Sequence, residues 1–275
     1  MFTRYRKRPA AAVAGMILTI WLPAANAQDL QGWTADSRVT GVQLVSVESS
    51  GTLLNFQIKN FSNSALAALV IATPDGSKHF VDYSLEELAP GAAYTLLIDS
   101  ASVADVKHVI SVEAIVRADG SAEGSQAEIN FVRAQWIGVA LETERLRQIF
   151  ATPAVTRAIG DAELADLNAR VGRKPVSAEN AFASMKDVRL QDLSADALDG
   201  ASTHEQFGFQ TGVQGTRERA LRALLQVKEL PTTDSPGFRS RVTSMSELRQ
   251  QYSDSSARMA SLLKKFHSLQ PGAPR

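Results

Sequence analysis

The chain has no cysteine, which excludes disulfide staples, thiolate chemistry and lipid attachment through an N-terminal cysteine. Histidine is almost as scarce. The four copies, His79, His108, His204 and His267, are scattered, and only His204-Glu205 comes near the spacing of a zinc site. A Gly-x-Ser-x-Gly elbow is missing too, because Gly120-Ser121-Ala122-Glu123-Gly124 puts its serine beside a turn. No glycine-rich phosphate loop is present. Asp192, Asp196 and Asp199 lack the alternating ligand spacing of a calcium loop. The chain therefore carries no motif for catalysis, metal or cofactor, and only a hydrolytic site assembled in space from distant residues stays open.

Acidic residues are absent from the first 27 positions, where Arg4, Arg6, Lys7 and Arg8 precede a nearly unbroken apolar run from Ala10 to Leu22. That run is shorter than the roughly 20 residues that span a bilayer. Pro23 ends it, and Ala25-Asn26-Ala27 supplies the small side chains of a peptidase site. Residues 1–27 read as a cleavable signal peptide, so the mature chain begins at Gln28 and is exported, soluble, to a periplasm or the extracellular space. No integral membrane segment remains. The signal takes four of the 29 basic residues and none of the 29 acidic ones, so 25 against 29 leave a net charge of −4. A mildly acidic chain offers no footprint for nucleic acid.

What is present divides the mature chain in two. After a linker at 28–37, residues 38–124 show a hydrophobic period near two with turn residues at the breaks. Leu54, Phe56 and Ile58 alternate with polar neighbours. Leu66 to Ala72 is continuously apolar, as a strand covered on both faces would be. Pro74-Asp75-Gly76, Pro90-Gly91 and Asp119-Gly120 mark reversals. Val109 to Ala118 is the last long strand, with Ile110, Val112, Ala114 and Val116 on one face. Six strands with short connections predict an antiparallel β-sandwich with Leu54, Phe56, Ile58, Leu96, Ile110 and Val112 inside.

The order of a strand, Asn60-Phe61-Ser62, an apolar strand, Asp75-Gly76 and Leu88-Ala89-Pro90-Gly91 resembles exported immunoglobulin-like sandwich domains, among them the FxLYD type. The Phe-x-Leu-Tyr-Asp segment itself is replaced here by Val70-Ile71-Ala72-Thr73-Pro74. The resemblance spans residues 40–118. It implies an accessory or binding module and carries over no functional residue.

From Ser125 to residue 270 the period becomes helical. Ser125-Gln126-Ala127-Glu128 and Ser244-Met245-Ser246-Glu247 have capping-box spacing. Ile129, Val132, Trp136, Val139, Thr143, Leu146 and Phe150 form one three-four seam, and Met245, Leu248, Tyr252, Ser255, Met259, Leu262, Phe266 and Leu269 form a longer, coiled-coil-like one. Two such seams predict pairing within the chain, or between chains. Shorter helices are expected over 153–171 and 178–188, and another from Arg217. Between them, Gly200, Gly208, Gly212 and Gly215 surround Phe207 and Phe209, which reads as a glycine-rich loop. Residues 271–275 form a tail.

The fold class expected is thus α+β, an N-terminal immunoglobulin-like antiparallel β-sandwich followed by a helical region with a long final helix. The functional expectation is a non-catalytic exported protein, a protein-interaction or accessory module of the envelope or secreted fraction. The surface expected to meet a protein partner, or a second copy, is Phe207, Phe209, Leu248, Tyr252, Met259, Leu262 and Phe266. A hydrolase with a spatially assembled site and a self-assembling structural protein are the alternatives.

Overall fold

The computed structural model describes residues 33–84, 86–100, 109–151, 161–172, 177–228 and 245–268. The expected signal peptide and its cleavage site, His108, Thr152-Pro153, Ser244 and the tail lie outside them. The chain is α+β. Among the described residues eight strands come first: β1 (Thr34–Ser37), β2 (Val42–Ser50), β3 (Leu53–Asn60), β4 (Leu66–Ala72), β5 (Lys78–Asp82), β6 (Ala93–Asp99), β7 (Val109–Arg117) and β8 (Ala122–Gly124). Helices α1 (Gln126–Phe150), α2 (Asp161–Val171), α3 (Ala178–Met185), α4 (Thr203–Lys228) and α5 (Met245–Ser268) follow, with a 3-10 turn at Ala195–Leu198.

The strands form two sheets. One is β2-β3-β6, antiparallel throughout; the other is β1-β7-β4-β5, with β8 also on β7. Within the second, β1 runs parallel to β7 while β4, β5 and β8 pair antiparallel. Strand β1 lies where the sequence suggested a linker: alternation is too short to see in four exposed residues, and backbone pairing with β7 holds them. Leu54, Phe56, Ile58, Leu96, Ile110 and Val112 are all buried, in one apolar cluster fed by both sheets. Trp33 closes it, packing edge-on to Phe56 at 4.7 Å.

Strand β4 is covered on both faces, as its unbroken apolar run predicts. Leu69 and Ile71 join the cluster between the sheets, whereas Ala68 and Val70 join a second cluster under the helices. Strand β7 behaves differently from the sequence reading. Ile110 and Val112 face the other sheet, but Ala114 and Val116 face the helices. The cause is a bulge: Ile71 pairs with Val112 and Val70 with Ala114, so Glu113 is an extra residue that shifts the alternation by one. Gly124 makes room for it. A Cβ there would meet the Glu113 carbonyl at 2.2 Å, on a backbone with φ +114.

The Asn60 turn and the Leu88-Ala89-Pro90-Gly91 corner interlock. Asn60 is fully buried; its side-chain NH2 donates to the carbonyls of Ser64 (2.9 Å) and Leu88 (3.1 Å), and its side-chain oxygen accepts from Ser62 N and Oγ. Gly91 N then donates to Asn60 O at 2.7 Å. Asn60 thus spends its amide on holding two turns together.

Helix α1 is the hub of the helical half, with 18 of its 25 residues buried. A helix buried on several sides needs cover on each of them. The sheet covers one side, α5 another and α4 a third. Edge-on pairs Trp136–Phe266 (5.9 Å) and Phe150–Tyr252 (5.1 Å) set α5 antiparallel along α1, so the two seams pair within the chain. Ser125 sits at the N-cap but makes no side-chain cap bond. Its expected partner Glu128 turns away, to Lys78 and His204. Buried Glu142 gathers Arg145 (2.5 Å) and Arg217 (2.9 Å), and Arg145 reaches on to the carbonyls of Arg170 and Val171, tying α2 and α4 to the hub.

The expected glycine-rich loop is the first half of α4. Gly208 and Gly212, one turn apart, let α4 touch α1 at backbone distance: a Cβ at Gly212 would stand 2.2 Å from Gln135 O, and one at Gly208 would stand 2.8 Å from Phe131 O. Gly138 of α1 answers, where a Cβ would stand 2.3 Å from Phe209 O. Glycine lowers intrinsic helix propensity by about 1 kcal/mol per residue, so the local signal points to a loop. Close packing against a buried helix outweighs it here.

Candidate binding cleft

Arg189 anchors the segment that follows α3. Its guanidinium donates to Lys186 O (2.6 Å) and Val188 O (3.1 Å) and pairs with Asp196 at 3.3 Å. Beyond it, Leu190 and Leu193 exchange backbone hydrogen bonds of 3.1 and 3.0 Å, closing a tight turn whose tip is Gln191-Asp192. Gln191 is the one non-glycine residue with positive φ (+55) among the described residues, a conformation tolerated when tertiary contacts demand it. Val188, Ala195 and Leu198 are buried and pin both ends of this segment to the helical core.

Between this turn, α1 and the last turns of α5 lies a cleft of about 410 Å³. Its floor is apolar: Ile137, Leu263 and Phe266, with Leu190 and Leu193 on the turn side. Arg133 from α1, Lys264 from α5 and Asp192 from the turn are its charged lining. Arg133 is partly buried and Lys264 exposed; among the described residues neither makes a hydrogen bond or ion pair. The size falls in the range of small-molecule sites, which are mostly apolar with a few placed polar groups. Among the described residues no histidine or serine lines the cleft, and its polar lining is the Arg133, Lys264 and Asp192 charges with Gln191.

No family model, curated protein or solved structure matches this chain. The site is therefore read from its own residues. Of the seven side chains expected to form an interaction surface, Phe209, Leu248, Tyr252, Met259, Leu262 and Phe266 are buried within the chain, and Phe207 is 56% exposed. The structure does not bring them together as a surface: Leu248 and Tyr252 belong to a cluster with Phe150, Leu146 and Leu224, while Phe209, Met259, Leu262 and Phe266 join the cluster beneath the sheet. Phe266 alone of the seven reaches the cleft. Burial among aromatic and aliphatic neighbours raises the Tyr252 hydroxyl above its ordinary range.

His204 stacks on Phe131 (4.6 Å between ring centres), its Nε2 3.1 Å from Glu128. Lys78 donates to the other oxygen of Glu128. Burial pushes the Glu128 carboxyl up, but the hydrogen bonds and charges of Lys78 and His204 outweigh it and leave the group below the usual carboxylate range. This cluster joins β5, α1 and α4, and its acid is already paired. Asp192 lies in the cleft, Asp196 pairs with Arg189, and among the described residues no three of His, Asp and Glu gather as metal ligands. Among those residues, too, no helix is long and apolar enough to cross a membrane.

Apart from Phe266, the cleft lining was not singled out by the sequence: Arg133 and Lys264 belong to no motif, and Asp192 enters only as a residue without calcium-loop spacing. The one signal that could have found Arg133 is its place in the sequence, a cation three residues from Trp136 within the apolar stretch from Ile129 to Leu141.

Proposed function

We propose that this is a non-catalytic exported protein, an accessory or interaction module of the envelope or secreted fraction, whose cleft between α1, α5 and the Leu190–Leu193 turn is its binding site. The observation that carries the reading is the lining of that cleft: an apolar floor rimmed by two cations without protein partners among the described residues. Export is supported by the basic start, short apolar core and Ala25-Asn26-Ala27 of the first 27 residues. The N-terminal half is proposed to be an immunoglobulin-like sandwich of the FxLYD kind, supported by the cluster the two sheets share and by the interlocked Asn60 and Leu88–Gly91 turns. Against self-assembly through the helical seams, their apolar side chains among the described residues are buried within the chain.

Two experiments test this. The tagged mature chain and an Ala260→Trp variant, which puts an indole into the cleft, are used to capture material from the envelope and medium of the native host. A component held by the parent and lost by the variant is expected; equal recovery defeats the cleft as the site. Expression with the native leader should yield a product starting at Gln28, and a membrane-bound product retaining Met1 would overturn the location.

A further inference from the structure

We infer that the cleft takes a monocarboxylate amphiphile, an aliphatic chain of about 10 to 12 carbons with its carboxylate at Arg133 and Lys264; this rests on the reading of the cleft as the binding site. Two features carry it together. The floor of Ile137, Leu263 and Phe266 is hydrocarbon, so it draws an apolar chain out of water and offers it no hydrogen bonds. Arg133 and Lys264 come from two different helices to the same cavity, and among the described residues no acceptor neutralises either. A partly buried guanidinium beside an apolar wall gains from an anion that also brings its own hydrophobic tail. Asp192 stands in the same lining without an ion pair among the described residues. Set against two cations, its single negative charge leaves the cleft net positive, which favours an anionic head over a cationic one.

The cleft's volume of about 410 Å³ limits the guest to a single chain. A bilayer surface or a folded protein does not enter such a cavity. Affinity should therefore climb with chain length, about fourfold for each methylene buried, until the cleft is full.

The test is calorimetric titration of the full mature chain with octanoate, decanoate and dodecanoate, with dodecan-1-ol and dodecyltrimethylammonium as matched probes, all below micelle formation. Dodecanoate should bind one per chain and about tenfold or more tighter than the alcohol, with the quaternary ammonium weakest. Arg133→Met and Lys264→Met should each weaken dodecanoate about tenfold while leaving the alcohol unchanged. Lys264 is exposed, so its variant keeps the fold and the comparison stands even if the Arg133 variant does not. Equal binding of acid and alcohol, tighter binding of the ammonium, or no binding by any probe overturns the inference. If dodecanoate fails while Ala260→Trp still releases the host component, the ligand class falls and the cleft reading survives; if Ala260→Trp changes neither, the cleft reading falls with it.

Discussion

Glycine in α4 shows how a residue's context reverses its meaning. Gly212 and Gly215 lie less than a turn apart in one helix, yet a Cβ at Gly212 would strike Gln135 O at 2.2 Å while one at Gly215 meets nothing within 4 Å. Gly212→Ala should therefore destabilise the protein by about 1–3 kcal/mol through overpacking against α1. Gly215→Ala should stabilise it by about 0.5–1 kcal/mol, since only the helix propensity changes. Urea denaturation of the two variants checks this, and equal shifts would mean that α4 does not touch α1 at backbone distance. Neither glycine could be told from the other in sequence, because the distinction lies in what stands opposite.

The paired acids supply a second residue-scale expectation. Burial raises the Glu144 carboxyl, but hydrogen bonds from Arg147, Gln148 and Ser256 and the Arg147 charge hold it below the usual range, and Glu128 and Glu123 are lowered in the same way. Each is easier to ionise folded than unfolded. Their stabilisation is present above the unfolded carboxylate value of about 4.3 and is lost as pH falls through the lower folded values. Melting temperature should thus hold steady through neutral pH and drop below about pH 4. In Glu144→Gln that drop should be shallower, and an unchanged profile would show that the carboxyl is not depressed.

At the scale of the element, strand register is the quantity the sequence revealed well and the bulge is the one it hid. Phe56 is fully buried and Gln57 points away from it, as alternation requires. Phe56→Ala should cost about 3–5 kcal/mol, with Gln57→Ala near neutral; matching melts would place the strand one residue out of register. The same logic failed midway along β7, where Glu113 adds a residue and sends Ala114 and Val116 to the helices. A bulge depends on the partner strand, so a period measured along one strand is blind to it. The seams of α1 and α5 were legible for the opposite reason: many apolar residues repeating at three and four mark a face that is buried whatever covers it.

For the whole molecule, the consequence is a sheet with two covered faces. Strands β4 and β7 contribute to both apolar clusters, so the strand-rich and helix-rich halves share a wall. Leu262 is buried in the cluster that faces this wall. Leu262→Glu should therefore unfold the helical half and also lower the stability of the sheets, by several kcal/mol in all. Near-UV circular dichroism and tryptophan emission, which report Trp136 under the helices and Trp33 between the sheets, should change together. Separate transitions would show that the halves are independent.

Sequence by itself determined the order of the elements: strands first and helices after, with turns at Asn60, Pro74-Asp75-Gly76 and Pro90-Gly91 and two long seams. Period and turn chemistry are local, and a linear chain displays them, whereas the Ser125 capping box gave way to the tertiary pairing of Glu128. Tertiary structure decided what each seam covers, why α4 tolerates its glycines, where β7 changes face, and that Arg133, Asp192 and Lys264, far apart in the chain, line one cleft. The physical reason is that packing and electrostatics act through space. A cation on a helix reads the same in sequence whether it faces water or a cavity with an apolar floor, and only the arrangement of its neighbours tells the two apart.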